Sequence, residues 1–299
     1  RYFIYLIILA LAGFVISMSL TPLVIGAVIA VSALFFWATV RMQLSNTLST
    51  QKDWTKLLFW CLFTHPLLDA HTSWGTQLLW PFPWKYSWNN IFVVDPLYTV
   101  PFMLCVIAVL FIKRESSWRN TMNWIGIGLS SVYMLFTLVM KYVVFTHFRN
   151  TLRAMGQDYV SMSTRPTPLN SILWTANVNI GDAYLISYYS VFDTQPISWV
   201  RIDKNRELLG QYENSPEVER LFHLTAGEYA ISYRNDTLVY NDLRFGMFGE
   251  PRKDGEFVFA YQLIPQGDGL LVKVIPPPRP GKEEGTQVMV MLWNRMKGN

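Results

Sequence analysis

His65 and Asp69 stand four residues apart in the run Thr64-His65-Pro66-Leu67-Leu68-Asp69-Ala70. On a helix that spacing puts an imidazole and a carboxylate on one face, within reach of a single divalent cation. The same two groups can instead hydrogen-bond each other and pin the helix, so the spacing alone leaves both uses open. Ionisable side chains are costly at membrane depth and tend to serve function there. His71, Thr72, Ser73, Trp74, Gly75, Thr76 and Gln77 follow directly. His71 adds a second imidazole, and Gly75 supplies a tight turn or a close backbone approach. Thr72 and Gln77 either orient metal ligands or solvate a helix terminus. Asp95, just before Pro96, is either a helix N-cap or a further acidic ligand. His147 reads as interfacial and His223 as an ordinary domain residue.

A catalytic zinc site takes three protein ligands and an open position. His65 and Asp69 provide two, so His71 or Asp95 has to complete the set. No histidine precedes His65 and no acidic residue precedes Asp53.

The elements that must position these groups are strongly apolar. Tyr2 to Leu20 and Pro22 to Val40 are each about 19 residues of nearly unbroken Ile, Leu, Val, Phe and Ala. At ~1.5 Å per residue, such a run crosses roughly 30 Å of hydrocarbon. No small-residue cleavage site marks the first run as a secretory leader. Trp54 to Ala70, Leu97 to Ile112 and Trp124 to His147 extend the pattern. The expectation is an α-helical transmembrane bundle of about five membrane segments in residues 1–150. His71 to Val94, rich in Trp, Pro and Gly, suits a re-entrant or interfacial loop. Basic residues near helix ends stay on the cytoplasmic side. Arg1, Arg41/Lys52/Lys56 and Lys113/Arg114/Arg119 would then face inward, and the Trp-rich loop and the remainder after His147 outward, although Lys141, Arg149 and Arg153 at the far end of the last segment argue the other way.

From Gln157 charged residues recur every few positions, and period-two alternation between turn residues signals an antiparallel sheet. Residues 151–299 are expected to form a β-rich α+β soluble domain on the exoplasmic side. Candidate strands are Ala183 to Phe192, Ile197 to Asp203, Glu228 to Tyr233, Leu238 to Asn241, Glu256 to Ile264, Leu271 to Ile275 and Gln287 to Trp293. Ser215 and Pro216, with Glu217 and Glu219 behind them, announce one short helix. Asp242 and Arg244 form a buried pair or touch a substrate.

Apolar residues make up 51% of the chain and charged residues 15%, which marks a membrane protein rather than a soluble one. The net charge of +4 is not gathered into the dense Lys/Arg stripe that a phosphate backbone requires, and nucleic acid is excluded as a partner. Cys61 and Cys105 both lie in apolar segments and read as small buried hydrophobes rather than a disulfide.

Three blocks occur together in order: Thr64 to Ala70, Trp74-Gly75-Thr76-Gln77-Leu78-Leu79 with Pro81-Phe82, and Ile91-Phe92-Val93-Val94-Asp95-Pro96-Leu97-Tyr98-Thr99. In this the chain resembles bacterial membrane-bound metal-dependent hydrolases, the YdjM-like family. Pro166-Thr167-Pro168-Leu169-Asn170 and Asn241-Asp242-Leu243-Arg244-Phe245-Gly246 extend the resemblance toward Ile264. It implies a hydrolase of the bacterial cytoplasmic membrane that uses a divalent cation, zinc or manganese. His65 and Asp69 would match the family's later ligand pair; read from the residues themselves, Asp69, His71 and Asp95 are the candidates for catalysis. Such a metal activates water against a phosphoester or other lipid-accessible ester, so a lipid or envelope-derived substrate is expected. The family's upstream Pro-Asp-x-Asp and His-Arg-Gly-x-Thr/Ser-His-Ser segments are missing from this sequence. Two rivals follow: a non-catalytic membrane anchor whose soluble domain binds a partner or envelope component, and a small transporter. The transporter needs ionisable groups deep in several helices, and only the third segment offers them.

Overall fold

The computed structural model describes residues 50–267, 269–277 and 281–298. The chain divides into two compact units, Arg1–Leu62 and Phe63–Asn299. Of the first, the described part is Thr50–Leu62, which begins helix α1 (Gln51–His71). Thr50 opens that helix, exchanging hydrogen bonds with the carboxylate and backbone N–H of Asp53.

In the second unit, α2 (Pro96–Phe111) and α3 (Ser117–Ala154) form an antiparallel hairpin. Arg119 reaches back across the turn and donates to the carbonyls of Val109 and Ile112, closing the otherwise unpaired end of α2. Gly126 permits the close approach of the two helices. A Cβ there would lie 2.9 Å from Cys105 Cβ. Gly126→Leu is therefore expected to lower stability by about 1–3 kcal/mol through overpacking, read as an earlier melting transition in detergent micelles; an unchanged transition would mean that the pair is not closely packed.

The five-segment bundle is not what the structure shows. The first two expected segments lie outside the described residues. Among the described residues one helix, α3, is long and apolar enough to cross a membrane. Helix α2 is apolar but only 16 residues long. The stretch around Trp54 to Ala70 is helical, but its 21-residue helix also carries Lys52, Asp53, Lys56, His65 and Asp69, and that polarity dilutes the apolar run.

The β-rich part fits the expectation. Strands β1 (Ser161–Pro166), β2 (Leu173–Asn179), β3 (Ala183–Ser190) and β4 (Val200–Asp203) make one antiparallel sheet in sequential order. Strands β5 (Tyr229–Arg234), β6 (Thr237–Met247), β7 (Phe257–Gln266) and β8 (Gly269–Ile275) make a second. Alternation sends successive side chains to opposite faces, so each sheet packs on two sides. On one face of the first sheet, Val144, Phe148 and Leu152 of α3 pack with Trp174, Ala176, Val178 and Leu185. From its other face Tyr184, Ile186 and Ile202 meet Ala230, Leu243, Met247 and Phe257. Beyond the second sheet, Leu209 of a 3-10 turn (Arg206–Tyr212) and Val218 and Leu221 of α4 (Pro216–Leu224) cover Tyr229, Ile231, Tyr240 and Leu263. Ser215 caps α4 by accepting from Val218 N–H, with Pro216 in the first turn, as its sequence announces.

Gln287 to Trp293 is not a strand. It lies in helix α5 (Lys282–Met296). The alternating Val-Met-Val-Met run is too short for periodicity to separate strand from helix. Tertiary bonds hold the helical form: Arg295 forks onto both carboxylate oxygens of Asp193, and Ser190 Oγ donates to the Met296 carbonyl at 2.6 Å.

Candidate functional site

Helix α1 brings His65 and Asp69 to one face, Nε2 to Oδ2 at 3.5 Å, with side-chain exposures of 76% and 48%. The pair is open to its surroundings. Among the described residues no group of three His, Cys, Asp or Glu side chains is placed to hold a metal ion.

His71, at the end of the same helix, is turned elsewhere. Its Nδ1 lies 2.7 Å from Asn90 Oδ1, and its ring sits edge-on to Trp88. Asn90 is buried and donates through Nδ2 to Thr137 Oγ1 of α3 at 2.8 Å. Thr72 closes the last turn of α1, its N–H and hydroxyl both donating to the Asp69 carbonyl. Ser87 Oγ in turn donates to the Thr72 carbonyl. Gly75 adopts φ +64°, and a Cβ there would fall 2.6 Å from the Tyr86 carbonyl oxygen. Only glycine fits this approach, which lets Thr76 and Tyr86 pair as an antiparallel bridge. Gln77 reaches back across that excursion to the Phe82 carbonyl at 3.4 Å.

Asp95 is 2% exposed and fully engaged. Oδ1 accepts from the N–H groups of Leu97 and Tyr98, so the carboxylate caps α2. Oδ2 accepts from Tyr133 Oη at 2.9 Å and from Ser171 Oγ at 3.1 Å. One carboxylate thus ties the start of α2 to α3 and to the residues leading into β2. Lys141, further along α3, donates to the carbonyls of Asn89 and Thr164. His147 stacks on Tyr189, and His223 lies exposed 4.0 Å from Glu219.

Asp242 and Arg244 form a buried pair across an irregularity in β6. Arg244 Nη2 donates to Oδ2 at 2.7 Å, and its Nε and backbone N–H both donate to Oδ1. Burial and the neighbouring Arg244 charge push the Lys85 ammonium below its usual range, while Asp242 partly restores it. Trp74 packs on Phe245 and Phe259 beside this pair and joins the polar loop to the second sheet.

The residues that sequence reasoning missed lie between the sheets. Arg165 grips Glu228 with both terminal nitrogens, at 3.0 and 2.7 Å, and donates to the Arg244 carbonyl at 2.6 Å. Asn177 donates to Glu228 and to the Leu243 carbonyl. No local motif announces a pair separated by 63 positions.

His65, Asp69, His71 and Asp95 therefore do not converge. Asp95 spends both carboxylate oxygens and His71 its Nδ1 on architecture, and among the described residues no third donor joins the exposed His65 and Asp69, where a catalytic zinc needs three. The donor set present does not fit the metal that the resemblance implies.

A comparison with protein families matches residues 8–147 to the model described as YdjM inner membrane protein. No curated protein and no solved structure matches the chain. The matched residues take in α1, α2 and α3 as far as His147; the two-sheet domain, with the blocks at Pro166 and Asn241, lies outside them. Over residues 8–147 the chain is similar to a family of inner membrane proteins.

Proposed function

We propose that this is a membrane-tethered, non-catalytic protein in which α3 is the anchor and the two-sheet domain binds a partner or envelope component. The observation that carries the reading is the commitment of His71 and Asp95 to structural hydrogen bonds with Asn90, Tyr133 and Ser171, away from the exposed His65 and Asp69. Spacing alone had made all four candidates for one site. Lys113, Arg114 and Arg119 flank the start of α3, and basic residues are retained on the cytoplasmic side. On that rule the two-sheet domain faces the exoplasmic side. A cleft of about 380 Å³ between β4 and β5, bordered by Arg201, Asp203, Arg234, Lys253 and Glu256, offers mixed charge to a polar partner.

A second reading, metal-dependent hydrolysis, is favoured by one feature: His65 and Asp69 share a helix face at 3.5 Å and stay exposed, so a divalent ion could bridge them. Metal content of the purified full chain separates the two readings. The anchor reading predicts substoichiometric zinc and manganese, unchanged in His65→Ala and Asp69→Ala. One tightly held ion per chain, lost in both variants, would overturn it in favour of the hydrolase.

A further inference from the structure

The loop between α1 and α2 carries a surface with no role in the contacts described above. Thr76 and Tyr86 pair as a bridge, and the excursion between them exposes Leu79, Trp80, Phe82 and Trp84, with Trp80 at 79%. Phe82 and Trp84 stack at 5.2 Å with planes 11° apart, forming one aromatic plate, with Lys85 next along the chain. Four large apolar side chains kept in water within six residues would be costly, and exposed apolar surface gathered in this way marks an interaction surface.

The base of the loop fixes the patch at a particular level of α3. Asn90 bonds to Thr137, and Lys141 bonds to the Asn89 carbonyl. Toward the start of α3, Trp118, Trp124, Ile125, Ile127, Leu129 and Val132 are exposed apolar side chains. Toward its end, Val144, Phe148 and Leu152 are fully buried against the first sheet. Exposed apolar side chains continue through Leu135, Phe136, Leu138, Val139, Tyr142 and Val143, so the crossing helix passes from a lipid-suited surface to a protein-covered one at Val143–Val144, about 4 Å of helix beyond Lys141. The loop is attached just before that point. Tryptophan and lysine side by side match the layer where apolar rings meet phosphates, since Trp favours headgroup depth and Lys extends toward anionic groups.

We infer that residues 79–85 form an interfacial anchor, seated in the headgroup layer of the phospholipid leaflet on the side of the two-sheet domain. The plate sets the tilt and depth of α3 and holds the domain close to the membrane. This adds a membrane contact to the anchor α3 on which the proposed function rests.

Nitroxide labels report the depth directly. In the full chain with Cys61→Ser and Cys105→Ala, labels are placed at Phe82→Cys and, as an aqueous control, Lys253→Cys. The protein is reconstituted in vesicles of phosphatidylethanolamine and phosphatidylglycerol. The inference predicts that collisions with a water-soluble nickel chelate at position 82 fall at least about threefold below those at 253, while collisions with oxygen rise, as a headgroup-depth site requires. Equal nickel access at the two positions would overturn it while leaving the anchor α3 untouched. A label at 82 shielded from nickel and oxygen alike would also overturn it, because it would place the plate against protein.

Discussion

Arg165→Ala is expected to destabilise the two-sheet domain by about 3–5 kcal/mol, the usual result of removing one partner of a buried ion pair. Arg165 is 5% exposed and supplies two of the bonds to Glu228, one to the Arg244 carbonyl and one to Ser163. Without it a carboxylate enclosed between the sheets is left with the neutral donors Asn177 and Ser163 and no opposite charge. Replacing both charges by apolar residues of similar volume should cost far less than either single change, because the lone charge, not the missing attraction, dominates the penalty. The loss is measured by denaturant-dependent proteolysis of the full chain in micelles. A cost under about 1 kcal/mol for Arg165→Ala would place the pair in solvent-like surroundings.

The same pair sets an acid limit. Burial alone would raise the Glu228 carboxyl, but the Arg165 charge and the bonds from Arg165, Asn177 and Ser163 outweigh it and hold the carboxyl below its ordinary 4.5. A carboxyl depressed in the folded state contributes stability that is present above the unfolded value and lost as pH falls through the folded one. The domain should therefore lose stability as pH drops below about 4.5. Glu228→Gln should start less stable and show a shallower slope in that window, and an unchanged slope would remove Glu228 as its cause.

Asp95→Ala carries the second large effect, about 3 kcal/mol. A lost N-cap costs ~1 kcal/mol, and stranding the buried hydroxyls of Tyr133 and Ser171 adds ~1–3 kcal/mol. Asp95→Asn, which keeps an acceptor oxygen but loses the charge, should recover part of that loss. If Asp95 served catalysis instead, its removal would leave the melting transition in place, or raise it, since functional groups are often held at the expense of stability.

The sequence made the helices and the caps legible because their signals are local. Ser215-Pro216 and Asp95-Pro96 each announce a helix start within four residues, and both caps form. The run Trp124 to His147 was long enough to show α3, but the count of membrane segments was not. Apolar length alone does not separate a crossing helix from the 16-residue α2 or from α1 with its His65 and Asp69. Strands β1 and β2 escaped notice for a physical reason. Residues Leu173–Val178 of β2 are buried on both faces, and the inward-facing Thr175 and Asn177 are polar. Polar residues turned toward the interior, serving Arg165 and Glu228, erase the alternation by which a half-buried strand is read. The candidate site residues show the opposite case. His65, Asp69, His71 and Asp95 are close along the chain, but the end of α1 turns His71 toward Asn90, and Asp95 sits under Tyr133 and Ser171. Proximity in sequence did not become convergence in space.

The claim on which the rest depends is that α3 carries the two-sheet domain out of the membrane on the exoplasmic side, and cysteine labelling in spheroplasts tests it most directly. With Cys61 and Cys105 replaced, single cysteines are placed at Arg114, Leu129 and Lys253 and exposed to a membrane-impermeant maleimide. The account predicts labelling of Lys253→Cys in intact spheroplasts, of Arg114→Cys only after permeabilisation, and of Leu129→Cys in neither case. Labelling of positions 114 and 253 from the same side, or free access to 129, would contradict it.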